Sequence, residues 1–168
     1  MKLESLTPPA PIETGHDVSA FNSGVTSLDE WLQKRALKNE KASASRTYVT
    51  CDKNRVVGYY CLSAGAIALQ ESPKKMARNM PDPIPVLVMG RLAIDKGYQN
   101  KGLGKALLLD AARRTLQAGE IAGVAALLVH ALSEEAKRFY ISRGFVECPV
   151  QPMTSCMRLA DARAVLDE

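Results

Sequence analysis

An α/β fold built on one compact sheet is what the sequence predicts, on three observations. Apolar, strand-like runs alternate with stretches of helical periodicity, and a glycine-bearing turn joins one such run to the longest of those stretches. The composition, 46% hydrophobic and 24% charged over 168 residues, is the ordinary mix of a globular domain. A chain of this length buries a core without disulfide or metal staples. With aromatics at only 5%, that core falls mainly to Leu, Val, Ile and Ala.

Taken in order, Ser27 and Glu30 satisfy the capping-box pattern just before Leu28, Trp31, Leu32 and Leu37, so a helix is expected from there to about Lys41. Lys34, Lys38 and Lys41 would share one face of it. Residues 46–51 and 56–64, rich in Val, Tyr and Thr around a polar turn at 52–55, predict an antiparallel hairpin. Residues 70–85 carry Pro73, Pro81, Pro83 and Pro85 with little periodicity and are expected to form a long loop. A loop of that length inside a domain suggests contact with a substrate or partner. The apolar run 86–94 predicts a central strand.

Gly102 opens a helical pattern through Leu103, Ala106, Leu107, Ala111 and Leu116 that should stop near Gly119. Residues 124–129 read as a short buried strand. Ser133, with Glu134 and Glu135 after it, reads as the N-cap of a helix closed by Arg143 and Gly144. Residues 145–148 and 155–159 would be closing strands. With no internal repeat and no linker, a single domain over 1–168 is expected.

Several classes drop out. No apolar run approaches the roughly 18 to 20 residues of a membrane span, and the first residues lack the basic and apolar regions of a signal peptide, so a cytoplasmic location without membrane contact is expected. Cys51, Cys61, Cys148 and Cys156 have no CxxC spacing and only His16 and His130 accompany them, which predicts buried free thiols and no metal site. The net charge is +4, but residues 34–78 hold ten Lys and Arg against three Asp and Glu. Such asymmetry suggests an anionic partner for that half, with a merely solvated basic face as the alternative.

The most informative stretch is Gln99-Asn100-Lys101-Gly102-Leu103-Gly104-Lys105, between a predicted strand and a predicted helix. Glycines there let backbone approach a ligand, unpaired N–H groups at the helix start favour a pyrophosphate, and Lys101 and Lys105 add positive charge. Spacing separates the phosphate motifs. A P-loop fails because Leu103 and Ala106 stand where Lys and Ser/Thr would be needed. A dinucleotide fingerprint fails because Leu107 replaces its third glycine, and no carboxylate ends the next strand. What remains, Gln/Arg-x-x-Gly-x-Gly/Ala at Gln99, Gly102 and Gly104, resembles the acetyl-coenzyme A signature of the GNAT N-acetyltransferases.

The resemblance extends over nearly the whole chain. It covers Phe21-Asn22-Ser23-Gly24, Leu28-Asp29-Glu30-Trp31-Leu32, residues 79–86, Gly90-Arg91-Leu92-Ala93-Ile94-Asp95, Ala136-Lys137-Arg138-Phe139-Tyr140 and Gly144-Phe145. Together these are similar to the tRNA-acetylating GNAT toxins of bacterial type II toxin–antitoxin modules. That resemblance implies a single-domain GNAT acetyltransferase fold with a mixed, mostly antiparallel sheet flanked by helices. It implies acetyl-CoA as cofactor, an aminoacyl-tRNA substrate, a ribbon-helix-helix antitoxin and a homodimer. It places Leu92, Ala93 and Ile94 along the pantetheine arm, Gln99 to Lys105 around the pyrophosphate, Ser133 on the cofactor's other side, and Tyr140 as the catalytic residue.

The chemistry gives Tyr140 a role on its own terms. Acetyl transfer from a thioester to an amine expels a thiolate, and a phenol of pKa about 10 can protonate it; a core tyrosine beside Ala136 and Phe139 is the bland alternative. His130 and Glu134 lie near a strand end where a base would serve, but a lone His after a buried strand is more often structural. A base is not obligatory, since a free α-amine titrates at about 7.7 to 8.0 and an aminoacyl ester lower. Lys34, Arg35, Lys38, Lys41, Lys74, Lys75, Arg78 and Arg91 could engage tRNA phosphates and sugars. Two rivals remain: an acetyltransferase of a small amine or protein N-terminus, and a non-catalytic acetyl-CoA-binding partner of a repressor.

Overall fold

The structure, a computed structural model, describes residues 3–166. Its elements are β1 (Ala10–Pro11), α1 (Thr26–Lys34), α2 (Ala36–Lys41), β2 (Arg46–Asp52), β3 (Arg55–Ile67), α3 (Lys74–Ala77), β4 (Ile84–Ile94), α4 (Leu103–Ile121), β5 (Ala126–His130), α5 (Glu134–Ser142), β6 (Val146–Glu147), β7 (Thr154–Arg158) and α6 (Leu159–Leu166). Seven strands form one sheet in the order β1-β2-β3-β4-β5-β7-β6. The pair β4–β5 is parallel, with α4 as its crossover, while β1–β2, β2–β3, β5–β7 and β6–β7 are antiparallel. Residues group into two compact units, one made of the chain up to Ser63 with Gly90–Asp110, the other of Ala64–Met89 with the chain from Ala111 on.

In the first unit the expected hairpin forms, with Lys53 in the left-handed region at φ 57° to make its turn. The expected single helix does not. Ser27 is no cap: α1 starts one residue earlier behind an extended Val25, and the Asp29 carboxylate instead closes the preceding turn by accepting from the Ser23 N–H and hydroxyl at 2.9 and 2.6 Å. Arg35 then leaves helical geometry at φ −121° and splits the segment into α1 and α2. The second piece is tied to β2, because Glu40 accepts from the Thr47 N–H at 3.0 Å and pairs with Arg46 at 2.6 Å. Lys34 therefore does not continue one helical face with Lys38 and Lys41. The core here gathers Phe21, Leu28, Leu32, Val49, Val56 and Tyr59. Tyr59 is stacked on Trp31 at 5.9 Å and gives its hydroxyl proton to the Leu28 carbonyl at 2.7 Å.

In the second unit the segment 70–85 is more ordered than a loop. A 3₁₀ turn at Leu69–Glu71 and the short α3 bury Met76, and β4 begins at Ile84 rather than 86. Met76 packs with Ile67, Ile84, Val86, Ala126 and Leu128. That burial is what orders a stretch too polar to show periodicity. α4 ends at Ile121, two residues past Gly119 and close to the expected stop; the glycine itself marks a close approach, since a Cβ there would lie 2.6 Å from Leu159 Cδ1. Ser133 does cap α5, its hydroxyl accepting from the Ala136 N–H at 3.0 Å, and Gly144 ends the turn after it at φ 101°. The helix α6, which the sequence reading did not anticipate, buries Ala162 and opens with Arg158 bonding Asp161 at 2.9 and 3.1 Å.

Candidate active site

In the first unit, the turn between β4 and α4 is built around two polar side chains. Asp95, nearly buried, accepts from the Gly97 and Asn22 N–H groups at 3.0 Å each and pairs with Arg55 at 3.3 Å. Gln99 donates through Nε2 to the carbonyls of Ser23 and Ile94, both at 2.8 Å. The Gln99 side-chain amide is thus a brace that fixes the turn by engaging two backbone carbonyls.

Asn100 and Gly102 adopt left-handed geometry at φ 62° and 86°, which swings the chain into α4. Asn and Gly are the residues that tolerate it. Leu103 is buried, while Lys101, Gly102 and Lys105 are exposed and Gly104 is half-buried. The first N–H groups of a helix lack intrahelical partners, and α4 is 19 residues long, so the turn presents donors and two cationic side chains at the positive end of a full helix. This suits a pyrophosphate. Leu92 and Ile94 are half-buried and Ala93 is buried in β4, which continues to Ile94 although its parallel ladder with β5 ends at Met89↔Val129.

The basic residues divide between the units. Arg35, Lys38 and Lys41 are exposed and Lys34 approaches Glu30 at 4.0 Å. Arg91 is half-buried, its guanidinium 4.5 Å over the Trp31 ring, and its charge works against the burial that pushes the Cys61 thiol up. It is a packing residue more than a free cation. In the second unit Lys74, Lys75 and Arg78 are exposed, and Lys75 helps Arg158 hold the Asp161 carboxyl below its usual range.

Tyr140 lies on α5 in the second unit, buried to 6% exposure between Phe139 at 5.5 Å and Phe145 at 5.6 Å. Burial pushes its phenol well above the ordinary tyrosine value. The proton therefore stays on Tyr140 through the neutral range, and the resting phenol is a hydrogen-bond donor. The Ser133 hydroxyl is engaged in its helix cap.

Two arrangements in this unit went unseen in the sequence. A cavity of about 220 Å³ is lined by Gly65, Ala66, Ile67, Glu71, Val88, Leu128, His130, Cys148, Gln151 and Thr154. His130, expected to be structural, is an exposed residue on that lining, with Nδ1 2.9 Å from the Thr154 hydroxyl. Also, Cys148 and Cys156, both buried free thiols like Cys51 and Cys61, lie with their sulfurs 3.6 Å apart. Their hydrogen bond lowers the Cys148 thiol from its ordinary value, and the same bond together with burial pushes Cys156 up. Among the described residues no group of three or more His, Cys, Asp or Glu side chains is gathered to hold a metal, and no helix is long and apolar enough to cross a membrane.

A family model described as an acetyltransferase (GNAT) domain matches residues 43–147. A tRNA-acetylating toxin of Mycobacterium tuberculosis (strain ATCC 25618 / H37Rv) is 44% identical over 160 residues, 95% of this chain and 96% of the toxin. Among solved structures, AtaT complexed with acetyl-methionyl-tRNAfMet superposes with a TM-score of 0.88 at 26% identity, covering 95% of this chain and 98% of AtaT. A tyrosine-to-phenylalanine mutant of AtaT bound to acetyl-CoA and the C-terminus of the antitoxin AtaR superposes with a TM-score of 0.83 at 25% identity, covering 97% and 99%.

Proposed function

The chain belongs to the GNAT acetyltransferase family, and from that premise we propose that it is a toxin that acetylates the free amino group of aminoacyl-tRNA and so blocks translation. The observation that carries this reading is the 44% identity to a tRNA-acetylating toxin over 95% of the chain. A cognate antitoxin of the ribbon-helix-helix type restrains it, and the working unit is a homodimer. Acetyl-CoA supplies the acetyl group as an activated thioester.

The residues divide the work as follows. Backbone of Leu92, Ala93 and Ile94 aligns the pantetheine arm, and Asn100, Lys101, Gly102, Leu103, Gly104 and Lys105 surround the pyrophosphate. Gln99 holds that turn in shape, and Ser133 starts the helix that carries Tyr140. Tyr140 Oη holds a proton that the developing thiolate can take, and its burial makes the donated hydrogen bond stronger than it would be in water. Arg35, Lys38, Lys41, Lys74, Lys75 and Arg78 attract the tRNA backbone, with Lys34 and Arg91 contributing less because each already faces another side chain.

A cell-free translation reaction tests this reading. Wild-type protein with acetyl-CoA should stop peptide synthesis, and Tyr140→Phe, bound to acetyl-CoA with unchanged affinity, should not. Translation that continues in the presence of the wild-type protein and acetyl-CoA would overturn it.

A further inference from the structure

Resting on the reading of an aminoacyl acceptor, we propose that His130 is a catalytic residue, the base that deprotonates the substrate's α-ammonium group in the 220 Å³ cavity that it lines. Three observations place it there. His130 is the last residue of β5, one position beyond the end of the parallel ladder at Met89↔Val129, and it is exposed on the cavity lining. Part of the same lining is apolar, through Ile67, Val88 and Leu128, and offers room for an amino-acid side chain.

The third observation is the hydrogen-bond bookkeeping around Thr154. Its hydroxyl has one proton, which it donates to Gln151 Oε1 at 3.2 Å. Toward His130 Nδ1, 2.9 Å away, the same oxygen can then only accept. The Nδ1 nitrogen therefore carries the ring proton and Nε2 carries the lone pair, a tautomer assigned from the network. Thr154 is buried at 4% exposure, on β7, whose pairing with β5 sets Thr154 directly opposite His130. A rigid strand pair thus fixes the orientation of an exposed imidazole. Glu71, the carboxylate on the same wall, would offset the charge the imidazole takes up, and Cys148 is the other titratable group on that lining.

In the reaction His130 Nε2 takes a proton from the α-ammonium and frees the nitrogen lone pair. That nitrogen forms its bond to the acetyl carbonyl carbon as the carbon–sulfur bond breaks. Tyr140 Oη gives its proton to the departing sulfur and regains one from the new amide nitrogen, while His130 releases its proton to solvent. The sum is one amide, one thiol and one proton.

His130→Gln keeps an N–H for Thr154 and removes the basic lone pair. At neutral pH its kcat should fall about 10-fold or more, less than the full range of acid–base effects because part of the substrate amine is already neutral. KM for acetyl-CoA should not change, and added imidazole should restore part of the activity of His130→Ala. Independently of turnover, ¹⁵N shifts of the free protein should place the His130 proton on Nδ1. Wild-type kcat in His130→Gln, absence of imidazole rescue, or a proton on Nε2 would each overturn the proposal. If the wild-type protein leaves charged tRNA untouched, the aminoacyl reading fails instead, and the ¹⁵N shifts and the same variants then judge His130 on whichever amine is acetylated.

Discussion

The ring of Tyr140 packs against that of Phe145, five positions on, with centroids 5.6 Å apart at 60°. Gly144 in left-handed geometry makes this possible, because it folds the chain back so that the Phe145 N–H also reaches the Tyr140 carbonyl at 3.2 Å. Phe145, itself buried, is therefore the wall that sets where the phenol points. Phe145→Ala should destabilise the fold by about 3–5 kcal/mol. Phe145→Leu should cost less stability yet still lower turnover, and thermal melts read beside acetyl-transfer rates separate the two effects.

The buried phenols give stability a definite pH dependence. Tyr140 and Tyr59 both have their ionisation pushed above the unfolded value of about 10 by burial. Above that pH the unfolded chain loses protons that the folded chain retains, so stability is intact below pH 10 and declines as pH rises beyond it. Denaturant midpoints measured from pH 8 to 11 should fall at the alkaline end, and less steeply in Tyr140→Phe.

Cys148 and Cys156 should differ in reactivity despite their contact. The bond from Cys156 lowers Cys148, which also lines the cavity, whereas Cys156 is held protonated. A time course of alkylation read by mass spectrometry should label Cys148 first. Equal labelling, or Cys156 first, contradicts that asymmetry.

The basic side chains should separate by function. Lys38→Glu or Lys74→Glu should leave stability within about 0.5 kcal/mol while raising KM for charged tRNA and flattening its salt dependence. Arg91→Gln, which strips the cation from over Trp31, should lower stability by about 0.5–2 kcal/mol. Melts and salt-titrated kinetics on the same variants decide between these outcomes.

What the sequence made legible follows from how local each signal is. The hairpin at β2–β3, the cap at Ser133 and the turn at Gly102 are written in adjacent residues, and each formed where expected. The break at Arg35 has no local signature, and the contacts that tie the second piece down, Glu40 to Arg46 and to the Thr47 N–H, reach into β2. The helix end near Gly119 was legible, but the close approach that the glycine makes to Leu159, 40 residues away, was not. The Gln99 motif marked the turn between β4 and α4, but the bracing by its side chain depends on the Ser23 carbonyl, 76 residues away, and could not be read locally. His130 and the thiol pair needed the β5–β7 and β6–β7 registers before their partners could be known.

The most direct test of the central claim is transfer of labelled acetyl from acetyl-CoA onto bulk charged tRNA, with deacylated tRNA as the control and Tyr140→Phe alongside. The account predicts label on charged tRNA alone, released with the amino acid when the ester is hydrolysed, and little or none with Tyr140→Phe. Label on small amines or protein N-termini with charged tRNA left bare would contradict it.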